Sequence, residues 1–133
     1  MEIEIKGLQP EYKKSILQAI IMQQYFYEGK LEEEANMLYL QLDEKWFSVC
    51  IDAGVIFWDQ KKEKPKDWNQ NENRFEYKMK NIMEPFEKEE IKINNITYYC
   101  DTNNFNVKFF LSNKTNVELY NQNDNTKYLV TEE

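Results

Sequence analysis

The stretch EYKKSILQAIIMQQYFYE, residues 11–28, decides the fold class. Tyr12, Ile16, Ala19, Ile20 and Tyr27 recur at helical spacing, Gln23 interrupts the stripe, and Gly29 ends the run. Pro10 stands where an early helical residue belongs, since its missing N–H costs nothing in a first turn. Leu17, Ile21 and Tyr25 widen the apolar surface, so the expected helix packs across a sheet instead of lying free in solvent.

Outward from this segment the period falls to two. Ile3 and Ile5 alternate with the charged Glu2, Glu4 and Lys6, which reads as a short strand ending at Gly7. Leu38, Leu40 and Leu42 alternate with Met37, Tyr39 and Gln41, and Phe47, Val49 and Ile51 alternate with Ser48, Cys50 and Asp52. Asp43-Glu44-Lys45 turns one strand into the other, and Ala53-Gly54 leads into a third strand at residues 55–58. Residues 61–73 read as a polar loop containing Pro65 and Trp68. Phe75, Met79, Ile82, Met83 and Phe86 fit a second, short helix ending before Pro85, although Phe75, Tyr77 and Met79 also alternate as a strand does. Ile91 and Ile93 are expected to turn at Asn94-Asn95 into Ile96, Tyr98 and Cys100. Strands then follow at residues 105–111, 115–119 and 128–130. The expected class is α+β, a mainly antiparallel sheet covered by the helix at 11–28 and a second short helix, in one domain spanning residues 1–133.

Composition narrows the function classes. The chain has no histidine, so the commonest neutral-pH proton shuttle and every histidine-based metal or nucleophile constellation are missing. Its two cysteines, Cys50 and Cys100, sit in apolar strand-like segments and read as buried thiols. No stretch approaches the roughly 20 apolar residues of a membrane span, and no cationic start precedes an apolar run, so cytoplasmic residence is expected. Among oxygen ligands, Asp43 with Glu44, Asp52 with Asp59, and the group Glu87, Glu89 and Glu90 lack the alternation and glycine of a calcium loop. No metal, cofactor or catalytic constellation is expected.

The charge of -7 is unevenly placed: residues 1–60 carry 11 acids and 5 bases, against 13 acids and 12 bases in residues 61–133. Such acidity works against phosphate backbones and anionic lipid and accommodates a cationic protein. Lys61, Lys62, Lys64 and Lys66 lie near Trp58 and Trp68, a pattern suited to single strands, but Glu63, Asp67 and the global charge dilute it. The acids Glu32, Glu33, Glu34, Asp43 and Glu44, with Tyr39, Trp46, Trp58 and Trp68 as anchors, are therefore the expected partner-binding residues. The physical type is that of an immunity-type inhibitor of a basic toxin or nuclease, with a non-catalytic adaptor or structural protein as one alternative. A small hydrolase using Asp52 and Asp59 as paired carboxylates is another.

Overall fold

The computed structural model describes residues 3–132 apart from 71, 73 and 87. Glu2 of the opening alternation, Asn71 and Asn73 of the expected loop and Glu87 of the acidic group lie outside the described residues. Among the described residues eleven strands run in chain order: β1 Glu4–Lys6, β2 Leu17–Tyr27, β3 Lys30–Leu42, β4 Lys45–Asp52, β5 Val55–Lys61 and β6 Trp68–Gln70. There follow β7 Phe75–Asn81, a 3-10 turn at Glu84–Phe86, β8 Ile93–Cys100, β9 Asn104–Leu111, β10 Thr115–Gln122 and β11 Asn125–Glu132. Seven form one sheet in the order β1-β5-β4-β3-β2-β7-β6, and four form a second in the order β11-β10-β9-β8. Pairing is antiparallel throughout except for β1, which runs parallel to β5.

The expected helix at 11–28 is not formed, and the described residues contain no helix of seven residues or more. The fold is therefore two packed sheets, not the α+β arrangement with covering helices. Residues 12–15 make a turn, in which Ser15 N donates to Tyr12 O at 3.1 Å, and β2 then runs between β3 and β7. Two properties of this strand imitate a helix. The β2–β3 register shifts between Leu17 and Ala19, a bulge that turns Leu17 and Ile20, three residues apart, into the same core. Beyond it Ile20 and Met22 face the inner core, while Ala19 and Ile21 join a second cluster on the other face with Trp46. A strand buried on both faces shows no hydrophobic alternation.

The second helix is also absent. The alternation of Phe75, Tyr77 and Met79 prevails as β7, and Pro85 sits inside the 3-10 turn. Asn94-Asn95 does not turn the chain: β8 runs through both, with a register shift between Ile93 and Asn95. Ile91 instead bridges to Leu17, tying the start of β2 to the second sheet. The 37–52 hairpin forms with its expected turn, where Asp43 and Glu44 take φ of 46° and 70°.

The core lies between the sheets. Leu38, Leu40, Leu42, Val49, Ile51, Ile56 and Trp58 from the large sheet meet Ile93, Ile96, Val107, Phe109, Leu111, Val117 and Leu119 from the small one. Burying a side chain of this size stabilises by about 1.5–3 kcal/mol, so this layer is the main source of fold stability. The sheets are also joined by a polar link: Trp58 Nε1 donates to Tyr98 Oη at 2.7 Å, and the Tyr98 hydroxyl donates in turn to Gln9. None of the described helices is long and apolar enough to cross a membrane.

Candidate partner-binding face

Because β3 sends Leu38, Leu40 and Leu42 inward, Met37, Tyr39 and Gln41 project from the opposite, outer face of the large sheet. The pairing of β2 with β7 carries this face across the sheet, with Gln23 opposite Met79, Tyr25 opposite Tyr77 and Tyr27 opposite Phe75. Strand β6 then places Trp68 opposite Tyr77. Trp68 stacks on Tyr77 at 5.3 Å between ring centroids, Tyr77 meets Tyr25 at 5.5 Å, and Tyr27 meets Phe75 at 5.3 Å. The Arg74 guanidinium caps this end, 5.5 Å from the Tyr27 ring centroid and 2.8 Å from its hydroxyl.

The centre of the face is fixed by polar bonds. Tyr39 Oη donates to Gln23 Oε1 at 3.0 Å, and Gln23 Nε2 donates to Asn36 Oδ1 at 2.9 Å. Ala19, Ile21 and Trp46 form an apolar floor, with Tyr39 and Met79 packed on it. Burial raises the Tyr39 hydroxyl pKa, with Cys50 and Tyr77 adding to the effect. Burial likewise raises the Cys50 thiol, helped by Asp52 and opposed by Lys61, so this sulfur stays protonated and weakly nucleophilic at neutral pH.

One margin of the face is acidic. Glu33, Asp52 and Asp124 line a cleft of about 510 Å3 with Asn36 and Cys50. Desolvation raises the Glu33 pKa, partly offset by the bond its Oε2 accepts from Thr126 N at 3.3 Å, with Asp52 adding to the rise. Glu32 lies close enough to Tyr25 to contribute, after desolvation and Tyr77, to the raised pKa of that hydroxyl. Among the described residues no group of carboxylates or thiols is arranged to hold a metal.

The nine residues expected from the sequence do not form one patch. Glu32 and Glu33 border the aromatic face, whereas Glu34 is near Lys80, whose pKa it helps to raise after the larger influence of Tyr128. Asp43 and Glu44 stand at the opposite end of β3, roughly 30 Å away at about 3.3 Å per residue. Their work there is structural: Asp43 Oδ1 accepts from Ile16 N at 2.9 Å, and Glu44 N donates to Gln18 Oε1 at 2.6 Å. Trp46, 8% exposed, is floor, and Trp58, 4% exposed, is core. Trp68, 46% exposed, and the half-buried Tyr39 do lie on the outer face. Tyr25, Tyr27, Phe75 and Tyr77, which build the outer aromatic row, are not among the residues the sequence singles out, although the two-residue spacing within each pair is legible there.

Trp58 and Trp68 are on different sides of the large sheet, so they make no joint stacking platform for a single strand. Asp52 and Asp59 fail the paired-carboxylate geometry. Asp52 stands opposite Val55 and Asp59 opposite Ser48, four residues along the ladder or roughly 13 Å, beyond the spacing of about 5–9.5 Å such hydrolysis uses. The Lys61 ammonium, 3.0 Å away, also holds the Asp59 carboxyl below its ordinary range. No protein-family model, curated protein or solved structure matches the chain.

Proposed function

We propose that this chain is a non-catalytic protein-binding module, an immunity-type inhibitor that binds and neutralises a basic toxin or nuclease through the outer face of its large sheet. The observation that carries the reading is the ring row Trp68–Tyr77–Tyr25, in which Trp68 stacks on Tyr77 and Tyr77 meets Tyr25 at a tilt, bordered by Glu32 and Glu33. Rings already packed on one another lose little rotamer freedom on binding, so they suit the role of short-range anchors. Carboxylates on the margin draw a cationic partner into encounter and reject anionic competitors. The acids at Asp43 and Glu44 are assigned to the turn and left out of the surface.

The test starts with the chain immobilised and exposed to lysate of its native cell, followed by kinetics with the purified captured protein. A cationic partner should dissociate about 30-fold faster or more from Trp68→Ala with Tyr77→Ala, the effect of losing about 2 kcal/mol at a central anchor. Glu32→Gln with Glu33→Gln should slow association and flatten its salt dependence. Unchanged kinetics in both folded variants would remove this face from recognition.

A further inference from the structure

We propose that the outer face of the small sheet is a second binding site, one for a neutral β-1,4-linked glycan laid across the strands. Because Tyr98, Val107, Phe109, Val117 and Leu119 turn to the core, their strand neighbours project outward. The ladder then sets one row across all four strands: Tyr99 opposite Asn106, Asn106 opposite Tyr120, and Tyr120 opposite Lys127. The adjoining row is Thr97, Lys108, Glu118 and Leu129. Residues of both rows, with Asp101 and Asn104 at the end, line a pocket of about 360 Å3, within the size range of small-molecule sites. Tyr99, 56% exposed, offers its ring to solvent there.

The polar groups of the pocket are positioned by one another. Asn106 Nδ2 donates to Glu118 Oε1 at 2.9 Å, Asn104 Nδ2 donates to Asp101 Oδ1 at 2.9 Å, and Tyr99 Oη donates to Asp101 Oδ2 at 3.3 Å. These bonds commit donors to carboxylates, so the capacity left to a ligand is chiefly acceptor: the amide oxygens of Asn104 and Asn106 and the second oxygen of Glu118. The ligand must therefore supply donors. It must also carry little charge, since Lys108 and Lys127 offset Asp101 and Glu118 around the pocket. A peptide laid on this face would bring a carbonyl for every N–H, and a nucleic acid or sulfated polysaccharide would bring anions to a chain of charge -7. A pyranose brings hydroxyl donors around its rim and an apolar C–H face on which a ring can stack.

The spacing of the rings selects the linkage. Tyr99 and Tyr120 stand on β8 and β10, two strand separations or about 9.6 Å apart. That is the length of one disaccharide in an extended β-1,4-linked chain, in which every second sugar presents the same face. The two tyrosines take a sugar and its next-but-one neighbour, and the sugar between lies over Asn106, beside Glu118. Trp68 and Tyr77 belong to the outer face of the other sheet, so glycan and protein partner occupy separate surfaces.

The test is calorimetric titration of the full chain with cellohexaose, chitohexaose and maltohexaose. At least one of the first two should bind with Kd below about 1 mM, and maltohexaose, whose α-1,4 linkages coil the chain, should bind more weakly. Tyr99→Ala and Tyr120→Ala should each weaken binding about fivefold or more, the loss expected of an aromatic anchor. Tyr99→Phe keeps the ring and should retain affinity, and Trp68→Ala should leave it unchanged. In the wild type, amide NMR shifts on titration with the tighter-binding hexasaccharide should move at residues 97–99, 104–108 and 118–120, which decides the matter even where a variant fails to fold. Absence of binding to both β-1,4-linked probes at about 10 mM overturns the proposal. Equal binding of maltohexaose, unchanged affinity in the folded alanine variants, or shifts confined to the large sheet also overturn it.

Discussion

Replacing Tyr98 with phenylalanine removes one oxygen and tests how the two sheets are held together. That hydroxyl accepts from Trp58 Nε1 at 2.7 Å and donates to Gln9, so it links β8, β5 and the segment preceding β2. Trp58 is almost wholly buried and stands edge-on to Phe109 at 6.3 Å, and its N–H loses its acceptor when that hydroxyl is removed. A stranded buried donor costs about 1–3 kcal/mol. For a chain of this length each kcal/mol lowers Tm by about 3–4 °C, so Tyr98→Phe should melt about 3–12 °C below the wild type. Urea unfolding followed by tryptophan fluorescence gives the same quantity independently. The pH dependence supplies a second reading. Burial, opposed by the Trp58 bond and aided by Tyr12, pushes the Tyr98 pKa up from 10.0 to about 12. The folded state therefore holds this proton more tightly than the unfolded state. Its contribution is fully present below pH 10 and is lost as pH rises from 10 to about 12. The wild type should lose stability in that window, and Tyr98→Phe should lose less. A variant within about 0.5 kcal/mol of wild type at neutral pH, with the same alkaline limb, would refute the bridging role.

Other substitutions test separate joints. Phe109→Ala empties a fully buried site between the sheets and should cost about 3–5 kcal/mol in urea unfolding. Asp43→Asn should abolish an acid-dependent share of stability: the Ile16 N–H, then Ser15, hold this carboxyl below its ordinary value of 3.8. That share is present above pH 3.8 and lost as pH falls through the lowered folded value, so the gap between variant and wild type in urea midpoints should narrow below pH 3.8. Gly7→Ala places a Cβ 1.9 Å from the Trp58 carbonyl oxygen at a φ of +81°, so β1 should detach from β5. Hydrogen exchange should show lost protection at residues 4–6, and wild-type protection there would contradict the packing.

Legibility in the sequence followed local geometry. The 37–52 hairpin was readable because one face of each strand is aliphatic and the turn residues Asp43 and Glu44 tolerate their left-handed φ. Residues 17–27 imitate a helix in sequence because a bulge near Gln18 sets Leu17 and Ile20 on one core at helical spacing, and burial of both faces removes the alternation. At Asn94-Asn95 a strand irregularity resembles a turn in composition. The outer aromatic face is hidden in the sequence for the same reason. Once Tyr25 and Tyr27 are assigned to a helix, nothing brings them beside Tyr77 and Phe75, and the row exists only through antiparallel pairing across some fifty residues of chain. Trp46 and Trp58 carry no sequence mark separating a core tryptophan from an exposed one; the polar neighbours of Trp68 do, and that residue is exposed.

Hydrogen exchange of the chain alone and saturated with its captured basic partner locates the contact without any substitution. Added protection is expected on residues 68–70 and 75–79, and on the Tyr25–Tyr27 end of β2 with the adjoining start of β3. Protection confined to residues 93–132, or to the turn at Asp43 and Glu44, would contradict it and move recognition to a different surface.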